Sequence, residues 1–362
     1  MPDTLAEIRR KIDALDARLV KLISARATIA QHVGKIKNGA LVYRPEREAQ
    51  VLRRVAELNK GPMPAAGLRR IYIEIMSACR ALEAMMAVAY LGPQGTYSQE
   101  AAIRHFGGSI EMRSCNTIDD VFKQVETGAA GYGVAPVENS TEGAIGRTLD
   151  LLLTTPAKVC GEIMLPVRQC LMSRAKTRAS IKKVYSHTQS LAQCQHWLAR
   201  YLPDAERIAV VSNAQAALLA ARDAKSAAIA SQTAAQLYKL NVLARNIQDE
   251  ARNTTRFLVL SREDVVASGR DKTSLILSTR NVPGAIHELL SPLAKNGVSM
   301  TRLESRPART GLWEYVFYID IEGHAGDARV ARALAEIESR ASFLKNLGSY
   351  PSASAATAKS AR

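Results

Sequence analysis

No apolar run in this chain approaches the roughly 18 residues that a membrane-spanning helix requires, which excludes such a helix. The N-terminal run MPDTLAEIRRKIDALD mixes charged and apolar side chains from the start. It has no secretory apolar core, so a cytoplasmic location is expected. Cysteine is sparse: Cys79, Cys115, Cys160, Cys170 and Cys194 are five in number, widely spaced and without a CxxC pair. An odd, scattered set argues against a disulfide framework and a structural zinc site, and suits reduced, small apolar side chains. His287-Glu288 opens HELLS, which lacks a second zinc-binding histidine; no metal is expected. Gly131 and Gly133 begin a GxGxx run that meets Pro136 instead of a third glycine, so a dinucleotide fingerprint fails and no cofactor is expected. Aromatics are only 5%, and lysine and arginine are scattered, unlike the basic, aromatic-interleaved runs of nucleic-acid binders.

What is present is an ordinary globular composition, 47% hydrophobic and 23% charged over 362 residues, enough for two or three domains. The formal net charge is +15. Without basic runs, that excess fits a small acidic ligand better than a nucleic acid or a membrane surface.

The chain divides into three segments: 1–88, 89–265 and 272–350. In the first, Leu5, Ile8, Ile12, Leu15, Leu19 and Leu22 recur at alternating spacings of three and four, a heptad seam that continues through Arg26, Ile29, Val33 and Ile36 to Gly39. A helix over 4–38 is about 50 Å long at 1.5 Å per residue, against a radius of gyration near 12 Å for a compact domain of this size. It outruns its own domain and predicts a homodimer. Further helices are expected from Pro45 to Gly61-Pro62, and from about Ala65 to Met86. In 89–265, β-rich runs (AVAYL, GYGVAPV, KKVYS, SAAIA, RFLVL) alternate with helical stretches, an α/β pattern. After a linker, 272–350 reads strand, helix, two strands, helix and a short strand, the βαββαβ ferredoxin-like plan. The tail SASAATAKSAR is small and polar and is expected to be disordered.

Residues 1–88 hold 16 Lys and Arg against 9 Asp and Glu, a surplus of 7 in a quarter of the chain. Arg26 interrupts the apolar seam, and a buried charge there needs an anion; an exposed seam end or a structural ion pair fits equally. Glu83 shares a stripe with Tyr72, Met76, Cys79 and Met86. A carboxyl among apolar side chains favours its protonated form and can donate; a solvated glutamate at the helix edge fits the spacing as well.

The runs IRRKIDALDARLVKLISAR, VGKIK, RPERE and EIMSACRALE resemble the all-helical chorismate mutase domain, an intertwined dimer of three-helix chains. The resemblance implies that Arg9 (from the partner chain), Arg26, Lys37 and Arg47 bind the carboxylates and ether oxygen of chorismate. It also implies that Glu48 holds the ring hydroxyl and Glu83 hydrogen-bonds the ether oxygen. The chemistry agrees: a pericyclic rearrangement needs a dicarboxylate held in a reactive conformer, with cations or donors beside the oxygen that gains charge.

Four strand–turn–helix units in the middle segment expose free N–H groups at helix starts, which bind anions collectively, although each alone is ordinary N-capping. Together GPQGTYS (92–98), PVENSTEG (136–143), SHTQSLAQC (186–194) and NTTRF (253–257) resemble the prephenate dehydratases in order and approximate spacing. The resemblance implies two lobes like a periplasmic binding protein, the second over about 166–245, with the site between them. It makes Thr255 essential and adds Glu138, Asn139, Ser186 and Gln193 to the site. Glu138 and His187 are candidate proton donors, His187 fitting better as a turn cap.

In the third segment, PGAI (283–286) and ESRP (304–307) resemble an ACT regulatory domain of the dehydratase type. That implies a phenylalanine site at a dimer interface, built from Gly284, Ala285, Glu304, Ser305, Arg306 and Pro307. The three resemblances jointly imply an isomerase and carbon–oxygen lyase of phenylalanine biosynthesis, acting on chorismate and prephenate and inhibited by L-phenylalanine. It would be a homodimer or larger, without nucleic-acid or membrane partners.

Overall fold

The computed structural model of the chain describes residues 4–37, 42–307 and 315–353, the Lys37 side chain excepted. It is multidomain. Three helices come first: α1 (Leu5–Lys37), α2 (Pro45–Leu58) and α3 (Ala65–Ala81). Pro45 opens α2 where its missing N–H costs nothing, with Glu46 and Glu48 in the positive first turn. α1 packs along α3. Its apolar seam stays open: Leu5, Leu15, Leu19, Leu22 and Ile29 are each more than half exposed in the single chain. α3 ends five residues before the expected Met86. Tertiary packing sets that end, because Met86 is buried among Tyr43, Val88, Tyr90 and Phe106, in the core of the next unit.

The middle unit has two lobes. The first holds β1 (Ala87–Leu91), α4 (Tyr97–Phe106), β2 (Glu111–Cys115), α5 (Ile118–Glu126), β3 (Tyr132–Asn139), β4 (Gly143–Ala144), α6 (Gly146–Thr154) and β5 (Lys158–Pro166). The second holds β6 (Cys170–Ser173), β7 (Lys183–His187), α7 (Thr188–Ala192), α8 (Gln195–Tyr201), β8 (Glu206–Val210), α9 (Asn213–Ala220), β9 (Ser226–Ala230), α10 (Gln232–Leu237) and β10 (Asn241–Arg245). The chain then returns through β11 (Thr254–Ser261) to the first sheet, whose order is β2-β1-β3-β11-β5 with β4 beside β3. The second sheet runs β10-β6-β9-β7-β8. The lobes are therefore joined by two crossings, after β5 and after β10.

The third unit is β12 (Asp271–Ser278), α11 (Ala285–Lys295), β13 (Met300–Pro307), β14 (Tyr315–Glu322), α12 (Ala328–Glu338) and β15 (Phe343–Pro351). Its antiparallel order β13-β14-β12-β15 is the ferredoxin-like arrangement. The first residues of the expected strand LWEYVFYIDI lie outside the described residues, as does the tail.

These units are not beads on a string. One apolar core runs from Val137, Leu149 and Leu258 of the first lobe to Ile276, Tyr318 and Leu347 of the third unit. Burying each such side chain contributes roughly 1.5–3 kcal/mol. Gly348 of β15 lies so close to β5 that a Cβ there would stand 2.4 Å from the Val159 carbonyl oxygen, and its φ of 137° also disfavours a side chain.

The helical unit is joined to the first lobe by an aromatic cluster. Tyr43 Oη lies 2.6 Å from His105 Nε2, and its ring meets Phe106 and Tyr132 edge-on. Burial pushes the His105 imidazole down to about 3, helped by the Arg69 and Arg80 charges. The folded state thus holds His105 neutral while the unfolded chain protonates near 6.5. Its contribution to stability is present above pH 6.5 and is lost as pH falls toward 3, by up to about 1.4 kcal/mol per pH unit. Urea unfolding between pH 7 and 4 should show a steeper loss of stability for the wild type than for His105→Gln; equal slopes would contradict this role.

Candidate active sites

The helical site forms where the C-terminal half of α1 meets the start of α2 and the end of α3. Glu48, in the first turn of α2, accepts from the Arg80 guanidinium, which also donates to the Phe106 carbonyl at the end of α4. The same guanidinium lies 5.2 Å from the centre of the Tyr43 ring. Arg80 is buried, and burial lowers its basicity while Tyr43, Tyr132 and Glu83 raise it and Arg26 lowers it further. Arg80 is thus the hub of this site, with Arg26, Glu48 and Glu83 around it. Sequence reasoning missed it, although a basic residue next to Cys79 on the buried side of α3 was the available signal.

Glu83 does not extend the α3 stripe. It sits in the turn beyond the helix, where its N–H donates to the Arg80 carbonyl at 2.8 Å. Gly34 of α1 makes room for it: a Cβ on Gly34 would lie 3.1 Å from Glu83 Cβ and Cγ. Arg26 is half-buried, while Arg47 and Arg9 are exposed. Arg9 and Arg26 are separated by about 25 Å along α1 at 1.5 Å per residue, too far to reach one small ligand in the same chain. Lys37 ends α1, and its side chain lies outside the described residues.

The second site is built on the antiparallel pair β3–β11, in which Thr255 stands opposite Asn139. Both side chains are buried. Asn139 Nδ2 donates to Thr255 Oγ1 at 2.8 Å and to Asn253 Oδ1 at 2.9 Å. Asn139 Oδ1 accepts from Thr141 Oγ1 at 2.6 Å and from the Thr141 backbone at 3.0 Å, which fixes the turn after β3. From the other lobe, Gln193 Nε2 donates to Thr141 Oγ1 at 3.3 Å. Gln169, at the first crossing, donates through Nε2 to Ser190 Oγ at 3.0 Å and to Gln193 Oε1 at 3.5 Å. A chain of side-chain hydrogen bonds therefore spans the cleft from Ser190 to Thr255.

Ser186 lies one step away. Its Oγ is 2.8 Å from the Ile229 carbonyl and 3.0 Å from Asn213 Oδ1, and Asn213 Nδ2 donates to Ser190 Oγ at 2.9 Å. His187 caps α7, accepting from the Gln189 N–H through Nδ1 at 3.3 Å. Thr96 and Ser231 cap α4 and α10 in the same way, and Ser231 Oγ reaches Gly95 O of the opposite lobe at 3.4 Å.

Two placements correct the expectation. Glu138 does not join Thr255 and Asn139. Consecutive strand residues point to opposite faces, and Glu138 accepts instead from Arg302 Nε of β13 at 2.7 Å. Sequence reasoning also passed over Asn253, which is 2% exposed and whose Nδ2 has no protein partner among the described residues.

In the third unit, Gly284 and Ala285 line a hollow of about 190 Å³ together with Val282, His287, Tyr315 and Phe317. Gly284 has φ 80°, a left-handed conformation that glycine adopts freely at this helix start. Glu304, Ser305, Arg306 and Pro307 lie on β13 and are not among the lining residues. Arg306 instead faces Asp150 of α6 at 3.4 Å.

A helical unit with a buried cluster of arginine and glutamate, a two-lobed cleft and a ferredoxin-like unit with its own hollow define a multidomain enzyme with a regulatory module. The family models match in the same order: chorismate mutase type II over residues 8–84, prephenate dehydratase over 88–265 and the ACT domain over 273–339. A bifunctional chorismate mutase/prephenate dehydratase of Neisseria gonorrhoeae is 52% identical, covering 98% of this chain and 99% of that one. The chain belongs to the bifunctional chorismate mutase/prephenate dehydratase family. Among solved structures, the Arthrobacter aurescens prephenate dehydratase in complex with L-Phe aligns with TM-score 0.68 and 33% identity, over 74% of this chain and 90% of that one. A structure described as a novel type of quorum quenching acylase aligns with TM-score 0.67 and 29% identity, over 74% of this chain and 98% of that one. The shared architecture alone thus does not fix the reaction; the site must.

Proposed function

We propose that residues 1–88 rearrange chorismate to prephenate, that residues 89–265 decarboxylate and dehydrate prephenate to phenylpyruvate, and that L-phenylalanine bound by residues 272–350 inhibits the second step. The observation that carries the dehydratase reading is the Asn139–Thr255 hydrogen bond beneath a cleft that Gln193 bridges. Because Thr255 Oγ1 accepts from Asn139, its own proton is free to point at the hydroxyl that leaves. Breaking the carboxylate C–C bond sends its electrons into the ring as the C–O bond opens. Gained aromaticity drives the step, so the enzyme needs chiefly to ease departure of the hydroxyl. Asn253 Nδ2 supplies a further donor to a ligand oxygen; left unmade when buried, such a bond costs about 1–3 kcal/mol.

In the helical site, Arg26, Lys37 and Arg47 take the carboxylates and ether oxygen, Glu48 the ring hydroxyl and Glu83 the ether oxygen. Arg9 comes from a second copy. Support for the homodimer is the long α1 with its open apolar seam and the span between Arg9 and Arg26. For phenylalanine, Gly284 and Ala285 form one wall, and of Glu304 to Pro307 on the edge strand β13, Ser305 and Pro307, on the face opposite the Arg306–Asp150 pair, reach it from a second copy. The reading also places the protein in the cytoplasm, in keeping with five buried, unbridged cysteines.

The experiment is a paired assay on the full chain. Arg26→Ala should lower chorismate turnover by at least about a hundred-fold and leave prephenate dehydration intact, and Thr255→Ala should do the reverse. Equal loss of both activities in either variant would contradict separate sites. Light scattering should return at least twice the chain mass of 39.3 kDa; a monomer that still rearranges chorismate would overturn the shared site.

A further inference from the structure

The face of β3 and β11 turned away from the cleft carries a buried set of charges that the chemistry does not use. Thr255 pairs with Asn139, and the next residues, Arg256 and Glu138, pair with each other in register. By strand alternation, if Thr255 and Asn139 face the cleft, Arg256 and Glu138 face the third unit. Arg256 is 7% exposed. Its Nε donates to Glu162 Oε2 at 3.0 Å, its Nη1 to Asp320 Oδ2 at 2.5 Å and its Nη2 to Tyr350 Oη at 3.0 Å. Asp320 is held by Ser274 Oγ at 2.5 Å, and Glu162 by Lys272 Nζ at 2.9 Å. Beside it, Arg302 Nε donates to Glu138 at 2.7 Å, and Arg302 is the cross-strand neighbour of Asp320 on β13–β14.

We propose that Asp320 and Arg302 of the third unit are positioning residues for dehydration, acting through Arg256 and Glu138 to fix where Thr255 and Asn139 stand. The inference rests on the reading that Thr255 and Asn139 face prephenate. Its physical basis is the choice of interaction. A buried, charge-balanced cluster adds little net stability compared with apolar side chains of the same volume, but it tolerates only one geometry. A shift of about 1 Å in a reacting group costs up to a hundred-fold in rate. Asp320 also lies three residues from Phe317, which lines the hollow beside Gly284, so one strand carries both the candidate effector contact and the clamp on β11. A ligand that moves β14 moves Asp320.

The test uses the full chain, with Asp320→Asn, Asp320→Glu, Arg302→Gln and Arg302→Lys assayed on both substrates with and without phenylalanine. Asp320→Asn and Arg302→Gln should lower kcat for prephenate about ten- to a hundred-fold, with KM changed less than about two-fold. Chorismate turnover should stay at the wild-type level, and phenylalanine inhibition should weaken. Asp320→Glu and Arg302→Lys should recover part of kcat. Wild-type kcat and inhibition in both neutral variants would reduce the cluster to an interface and overturn the inference. So would equal losses in mutase and dehydratase rates, which mark general destabilisation. Arg302 sits at the more open edge of the cluster, so Arg302→Gln keeps the test decisive if Asp320→Asn fails to fold. Thr255→Ala assayed alongside separates the two levels: if it keeps dehydration, the site reading fails; if it loses dehydration while Asp320→Asn does not, only this inference fails.

Discussion

The pairing of β3 with β11 is the constraint on which the structure depends. One side of this antiparallel ladder presents Asn139 and Thr255 to each other, and the other presents Glu138 and Arg256 to the third unit. A slip of one residue would exchange the two sets. β11 is also the strand by which the chain returns after building the second lobe. The same segment therefore closes the first sheet, completes the cleft and carries the domain behind it.

The helical unit is attached by a different device, a buried guanidinium set beside the aromatic cluster of Tyr43, Phe106 and Tyr132. Arg80 ties Glu48 to the Phe106 carbonyl of the first lobe and lies over Tyr43. Removing one partner of such a pair leaves an uncompensated charge and costs about 3–5 kcal/mol. Its position explains how a domain with an open apolar seam stays joined to the lobe. It also explains why Met86 leaves the helix pattern for the core that Tyr43 and Phe106 share. The surplus of positive charge in 1–88 is of the kind that holds dicarboxylates, although Arg80 is used for attachment.

The sequence made the periodic parts legible. The seam of α1 is a local helical pattern, and the strand–helix order of the third unit follows short apolar runs set between helical ones; both appear where expected. The end of α3 was not legible, because burial of Met86 in a neighbouring unit decides it. Glu138 was placed wrongly for a reason the sequence did contain: adjacent residues of one strand cannot both face the cleft. Arg80 was signalled only by its place beside Cys79 on the buried side of α3, and Asn253 emerges only when distant segments meet. Arg306 was legible as a motif residue, but its contact with Asp150 depends on how the third unit docks.

One chain holds two successive candidate sites, and only the second is proposed to answer to the hollow in the third unit. The most direct measurement supplies chorismate alone and follows prephenate and phenylpyruvate together, with and without L-phenylalanine. Phenylpyruvate should form without the amino acid, and prephenate should accumulate in its place when the amino acid is present. Inhibition of chorismate loss itself, or phenylpyruvate formation indifferent to phenylalanine, would contradict the account.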